Sequence, residues 1–340
     1  MAVRKRPRIG SLSEERLLDL RLCDLGLHIE GTWLEERIEK LGDELAARDI
    51  RIRPHCWLSD EWFSPDGITG IAIPFYLAHP RLIRLERKHI LEVEGATPAG
   101  CMKLLRHEMG HVVDHAYRLH GRRRWQRTFG RSSQRYPDYY KPNPASKRFV
   151  VHLDHWYAQA HPDEDFAETF AVWLTPGSRW RYRYRGWPAL KKLELVDEMM
   201  RGIAGRPPEV RSRRKVDTIG RLRMTLREYY EGKRARYRSV TTNIYDEDLI
   251  RLFRGSSPRG HESAARFLRT HRVRIRKMVA RSTGEHPLAL DTVLKEMIDR
   301  CRELKLRVSG SHRQLLIDLA ILLAARSVEY VYRRKDWHVV

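Results

Sequence analysis

The stretch "TPAGCMKLLRHEMGHVVDHAYRLHG", residues 97–121, decides how this chain is read. Thr97 followed by Pro98 is a helix start, a capping hydroxyl and then a proline at the first helical position. Gly121 is a stop signal. The helix predicted between them carries His107, Glu108 and His111 in the spacing H-E-x-x-H. Residues four apart lie about 40° apart around a helix and roughly 6 Å apart along it, so two imidazoles can face one ion. Glu108 stands on the adjacent face, close enough to hydrogen-bond a water held there. Leu104, Leu105 and Val112 supply apolar surface to bury the helix, and Gly110 leaves room for another element to approach closely.

A catalytic zinc takes three protein ligands and keeps one open position. The third ligand is expected later in the chain, and "HPDEDFAETFAVWLTPG" (161–177) offers Asp163, Glu164, Asp165 and Glu168 on one short helix. Pro162 suits its first turn, and Pro176-Gly177 closes it. Phe166, Phe170 and Trp173 recur at helical spacing as a buried stripe. Glu168, flanked by Ala167 and Ala171, can sit deep without crowding. An acid there is costly to bury unless it is paired or bound to metal. The other acids belong to the polar first turn, where they favour the positive helix end. The expected zinc ligands are therefore His107, His111 and Glu168, one Zn2+ per chain, with Glu108 as general base.

"HEMGHVVDHAY" together with "DFAETFA" resembles the zincin metallopeptidases whose third ligand is a Glu in an F-A-E-x-F context, a clan that includes the anthrax lethal factor-like and Pro-Pro endopeptidase families. The chain as a whole resembles bacterial zinc-binding metallopeptidases. The resemblance covers the two motifs and extends over about 50–180. It implies an α+β fold, with a small mixed sheet whose edge strand binds an extended peptide and an active-site helix beneath it. It implies the same roles for His107, His111, Glu168 and Glu108. "GITGIAIPFYL" (67–77) would suit the edge strand. Lethal factor-like enzymes place a Tyr seven residues before the third ligand, where it supports the oxyanion. Counted from Glu168 that position holds His161, with Tyr157 one turn earlier, and either side chain could donate to a developing oxyanion.

Other residues near the motifs have weaker readings. Asp114, one turn beyond His111, could orient a ligand imidazole or pair with a nearby Arg. His115 reads as non-ligating, because a fourth protein ligand would fill the open position. His152 and His155 could line the substrate cleft or simply belong to a loop.

Around these motifs, "SEERLLDLRLCDLGL" and "TWLEERIEKLGDELAARD" read as helices, with Ser11 or Ser13 and Thr32 as caps. Residues 50–59, 67–80 and 81–86 read as strands from their alternation and β-branched content. Residues 121–161 form a long irregular stretch, "RPPEVRSRRK" (206–215) a linker or surface loop, and everything beyond about 217 a succession of helices. This gives a basic tail at 1–10, a zincin-like catalytic domain at 11–205 and an α-helical C-terminal bundle at 206–340, expected to pack on it.

The chain has 340 residues and a formal net charge of +22. Such a balance attracts polyanions or acidic protein substrates without choosing among them. "RWRYRYRGW" and "GRRRWQR" combine cations with aromatic rings, the composition of a single-stranded nucleic-acid track. It is equally that of arginines covering an aromatic core. Four scattered cysteines read as reduced thiols. No secretory signal is evident at the N-terminus, and "LLIDLAILLAA" is too short to span a bilayer and is interrupted by Asp318. A cytoplasmic zinc peptidase acting on a peptide or protein substrate, acidic ones being suited by its charge, is the expectation, with no membrane partner. The rival is a nucleic-acid-associated protein in which the zincin fold is tethered or dormant.

Overall fold

The computed structural model describes residues 9–137, 140, 142–143, 145–235, 245–253 and 262–333, apart from the side chains of residues 155 and 327–333. The fold is α+β and mostly helical. The helices are α1 (Glu14–Leu18), α2 (Trp33–Ala46), α3 (Pro80–Ile90), α4 (Pro98–Ala116), α5 (Arg123–Phe129), α6 (Pro162–Leu174), α7 (Trp180–Arg183), α8 (Ala189–Ile203), α9 (Leu226–Ala235), α10 (Asp246–Leu252), α11 (Ala264–Thr283), α12 (Pro287–Glu303) and α13 (His312–Arg333). Two strands, β1 (His55–Ser59) and β2 (Gly70–Pro74), pair in parallel with His55 opposite Gly70. No helix among the described residues is long and apolar enough to cross a membrane.

The described residues fall into two compact units, one within 9–86 and 93–229, the other within 87–92 and 230–333. The first unit extends past 205, where the sequence pattern placed the boundary. Side chains on one face of β1 hold the chain at 214–217: the His55 ring lies 3.0 Å from the Arg214 carbonyl, Trp57 donates to Val216 O at 2.7 Å and Ser59 to Asp217 O at 2.6 Å. Leu226 N then donates to Leu20 O at 2.9 Å. The "RPPEVRSRRK" segment thus leads into a stretch laid against the sheet.

Several start signals act as expected. Ser13, Thr32 and Thr97 each accept a hydrogen bond from a backbone N–H of the first turn they precede, and Pro98 and Pro162 begin α4 and α6. Other expectations change. The 81–86 stretch is helical, not a strand: Pro80 starts α3, and Leu82 and Leu85, three apart, are both buried. Three-residue spacing outweighs β-branched content there. Only the second half of 50–59 is a strand. Of 67–80 only Gly70–Pro74 is, and Phe75–Ala78 tightens into a 3-10 turn. The sheet is parallel rather than mixed, although Ala72 N also donates to Phe63 O at 2.9 Å in a single antiparallel bridge. Helix α4 stops at Ala116, short of Gly121, because Arg118 turns left-handed at φ 48°. Of the basic tail, residues 1–8 lie outside the described residues. Ile9–Ser11 is a 3-10 turn with Ile9 buried.

The core of the first unit is organised by α4 lying between β2 and α6. Phe166, Phe170 and Trp173 are buried as predicted, and Phe166 meets Phe129 edge-to-face at 5.4 Å and Trp125 at 5.8 Å. Each such ring contributes about 1.5–3 kcal/mol by leaving water. The second unit has its own core, built from Phe267, Leu268 and Ile275 of α11, Leu290, Leu294 and Met297 of α12, and Leu319 and Leu323 of α13.

Candidate metal centre

Helices α4 and α6 touch through their smallest residues. A Cβ placed on Gly110 would stand 2.6 Å from Ala167 Cα. That contact brings the acidic residues of α6 within reach of the imidazoles on α4. His107 Nε2 and His111 Nε2 lie 3.3 Å apart. Glu164 Oε2 is 3.1 Å from the first and 3.3 Å from the second. His107 and Glu164 are buried, and His111 is nearly so.

Glu168 occupies the other side of the same ring. Its Oε1 accepts from His107 Nδ1 at 2.8 Å, and its Oε2 accepts from Leu153 N at 2.7 Å. Both oxygens are therefore engaged, and neither faces the Nε2 pair. The sequence expectation put Glu168 in the ligand set and Glu164 in the polar first turn. In the structure it is Glu164, still in the first turn, whose carboxylate faces the Nε2 pair, and Glu168 that faces Nδ1. The remaining acids of α6 are held elsewhere, Asp163 by Ser132 Oγ at 3.0 Å and Asp165 by Lys192.

The three atoms His107 Nε2, His111 Nε2 and Glu164 Oε2 fit a zinc ion. In a tetrahedral site with bonds of about 2.0–2.1 Å, ligand atoms stand roughly 3.3–3.4 Å apart. The observed separations are 3.1, 3.3 and 3.3 Å. Glu164 Oε2 is buried, its nearest partners are the two imidazole nitrogens, and neither contact has the geometry of a directed hydrogen bond, an arrangement that a cation shared by all three atoms would satisfy. With His107 Nδ1–H donating to Glu168, Nε2 is the nitrogen left to offer a lone pair to a metal. These residues form the one group among those described whose ligand atoms converge for a metal.

Without a metal the three groups are electrostatically bound to one another. Burial opposes protonation of His107 and His111, yet the neighbouring carboxylates outweigh it and raise both imidazoles above their ordinary pKa. Burial likewise opposes ionisation of Glu164, but the two imidazoles dominate and hold it well below the usual carboxylate range.

Glu108 is buried beside the cluster, and Ser64 Oγ donates to its Oε2 at 2.9 Å and to its carbonyl at 3.2 Å. Tyr157 stands on the 3-10 turn Asp154–Gln159, its ring centre 5.5 Å from that of His107. The preceding Trp156 is forced to φ 53°, an unfavourable conformation for a bulky side chain. Burial, then the charges of Glu164 and Glu108, push the Tyr157 phenol well above its normal pKa, so it stays a neutral donor.

His161 and Asp114 have other work. His161 caps α6, its Nδ1 accepting from Asp163 N at 3.2 Å, and its Nε2 lies 3.0 Å from Gln134 O. With both nitrogens committed it has no donor to spare for a substrate. Its ring stacks on Tyr136 at 3.8 Å, and Tyr136 donates to Glu164 Oε1 at 3.0 Å. Asp114 accepts from His120 N at 2.7 Å and contacts His120 Nδ1 at 3.1 Å, so it fixes the turn after α4 rather than a ligand ring. His115 lies 3.3 Å from Asp66, and His152 Nε2 lies 2.9 Å from Lys103 O. The side chain of His155 is outside the described residues.

Sequence reasoning did not single out Glu164, Ser64 or Tyr136. For Glu164 a signal existed: it lies four residues before Glu168, hence on the same helix face. Ser64 and Tyr136 lie in irregular segments and left none.

Residues 100–176 match the sequence model of a family described as "Putative zinc-binding metallo-peptidase". The match spans α4, α6 and the loop between them, the elements that build the cluster. It supports a zinc-dependent peptidase function in general. Searches of curated proteins and of solved structures returned no match.

Proposed function

We propose that the chain is a zinc peptidase whose metal is held by His107, His111 and Glu164, with Glu168 orienting His107 from behind. The observation that carries this reading is the triangle of two imidazole nitrogens and one carboxylate oxygen, each about 3.2 Å from the next, with that oxygen otherwise unpaired. The lethal factor-like resemblance gains support from Glu164 as the ligand. Counted from Glu164 rather than Glu168, the position seven residues earlier is Tyr157, the tyrosine whose tilted ring neighbours His107 at 5.5 Å. The zincin-like reading rests on the two motifs and on α4 packing against β2 and α6, the sheet being two-stranded and parallel rather than mixed.

A bound zinc supplies Lewis acidity that makes water a nucleophile near neutral pH. The residues of the chain do the rest. Glu108 accepts the proton of the attacking water and hands it to the leaving amine. Ser64 holds one oxygen of Glu108 and leaves the other for that transfer. Tyr157 donates a hydrogen bond to the carbonyl oxygen as negative charge develops on it. Tyr136 keeps Glu164 Oε1 occupied, so that Oε2 is the ligand atom. β2 is wholly buried, paired with β1 and bridged at Ala72 by Phe63, so it is not the free edge strand expected at 67–77, and Ser64, next to Phe63, reaches Glu108.

The test is to load the purified chain with zinc and incubate it with a proteome-derived peptide library, reading new termini by mass spectrometry. Cleavage by the wild type, its loss in Glu108→Gln and retention of one zinc in that variant are expected. A wild type that takes up no zinc, or a Glu108→Gln variant that cleaves as well as the wild type, would refute the proposal.

A further inference from the structure

The Arg/aromatic stretch at 178–187 plays no part in the metal centre. In the structure it splits by face. Trp180 and Tyr184 turn inward and are buried, whereas Tyr182 is 76% exposed. Arg179, Arg181, Arg183 and Arg185 are all exposed. Beside them is a groove of about 480 Å³, lined by Arg48, Thr175, Ser178, Arg179, Arg181 and Tyr182 among others.

The cations of this groove are in part neutralised and in part not. Arg181 stacks on Trp180 at 4.0 Å and pairs with Asp197 at 2.7 Å. Asp197 is also taken by Arg201 and by Trp173 Nε1. Arg48 lies 4.5 Å over the Trp173 ring and donates to Trp173 O at 3.4 Å, covering the negative end of α6. Among the described residues no carboxylate pairs with Arg48, Arg179, Arg183 or Arg185. Arg48 and Arg179 on its wall thus lack such a partner, and Arg183 follows on the same exposed segment over the Tyr184 ring at 5.4 Å. The exposed Tyr182 ring is approached by Arg185 at 5.9 Å on one side only, so the groove offers two things at once. The cations attract a phosphate backbone, and the ring offers a face on which a base can stack.

We infer that this groove binds single-stranded nucleic acid, phosphates against Arg48, Arg179 and Arg183 and a base against Tyr182. An anionic membrane fits less well, because Tyr182 is the one large apolar side chain exposed in the groove, without the apolar face that inserts into lipid. The groove opens at the C-terminal end of α6, whose first turn carries Glu164. The two sites are thus roughly 16 Å apart along that helix. The inference does not rest on the peptidase reading.

The experiment is fluorescence anisotropy of the full chain with fluorescein-labelled 20-nucleotide oligo-dT and oligo-U, with and without a zinc chelator, over a salt series. Binding that weakens steeply with salt and persists in chelator is expected. Comparing the two oligomers separates DNA from RNA as the source of the strand. Tyr182→Ala should weaken binding about tenfold, within the range for one lost base stack. Arg179→Glu combined with Arg183→Glu should abolish it. All three side chains are exposed, so the melting temperature should not move. Absence of binding at low salt would overturn the inference, as would oligomer binding that Tyr182→Ala leaves unchanged. So would phosphatidylserine vesicles being bound in place of the oligomers.

Discussion

Gly110 of α4 sits directly against the backbone of Ala167 of α6, so closely that even a methyl group would stand 2.6 Å from Ala167 Cα. The obstacle is main chain, which cannot rotate aside. Gly110→Ala should force the helices apart at a cost of about 1–3 kcal/mol, only partly offset by the roughly 1 kcal/mol that alanine gains in a helix. The expected outcome is a lowered melting temperature together with weaker zinc binding, since the same spacing sets the distance from Glu164 to the imidazoles. Thermal melts and a zinc titration on one sample read both.

Glu164 and Glu168 should separate cleanly in a metal titration. Glu164→Ala removes a ligand, and the variant should no longer retain stoichiometric zinc through dialysis. Glu168→Gln keeps the ligand set but weakens the grip on His107 Nδ1, so zinc should bind about 10–100-fold more weakly. Elemental analysis and chelator competition distinguish the two. The reverse order of severity would return Glu168 to the ligand set.

Zinc uptake should depend on pH with a definite sign. The metal needs unprotonated Nε2 atoms, while the carboxylates around the metal-free site raise both imidazoles above their ordinary value. Protons then compete with zinc from above the ordinary imidazole pKa of about 6.5 downward. Affinity should be full on the alkaline side and fall as the solution is acidified, with protons released on binding. Calorimetry in two buffers of different ionisation enthalpy counts those protons, and an affinity flat from pH 8 to pH 5 would contradict the assignment.

In the second unit, Asp291 of α12 is buried between Arg272 and Arg276 of α11. Burial opposes its ionisation, but the two guanidinium groups win and depress its pKa. A carboxyl whose folded pKa lies below its unfolded value stabilises the fold above the unfolded pKa. That contribution fades as pH falls through the folded one. Asp291→Asn should therefore lower the melting temperature at pH 7 and matter little in strong acid. A cost of roughly 2–4 kcal/mol is expected at neutral pH, below the full range for a wholly buried pair because the arginines keep some solvent.

The sequence displayed most of what stands on α4 and α6. Thr97, Pro98 and Pro162 mark the helix starts, His107, Glu108 and His111 lie together, and Phe166, Phe170 and Trp173 form the buried stripe. Periodicity showed that Glu164 and Glu168 share a face but not how deep each lies, and depth distinguishes a group at Nε2 from one at Nδ1. The placement of Asp114 depended on a left-handed residue at Arg118, which nothing in the local sequence announces. The 81–86 stretch reads as a strand by composition but is helical, and Pro80 with the Leu82–Leu85 spacing is the signal that reading passed over. Ser64 and Tyr136 reach the centre from irregular segments, where periodicity carries no information.

Glu168 holds the His107 ring with one oxygen and the Leu153 backbone with the other. Leu153 immediately precedes the turn that presents Tyr157. The tilt of a metal-facing imidazole and the height of the phenol above it are therefore coupled through one side chain. A peptide that presses on the turn would strain the ring, and a ring drawn toward a cation would pull on the turn, so filling either half of the centre should change how the other half receives its guest.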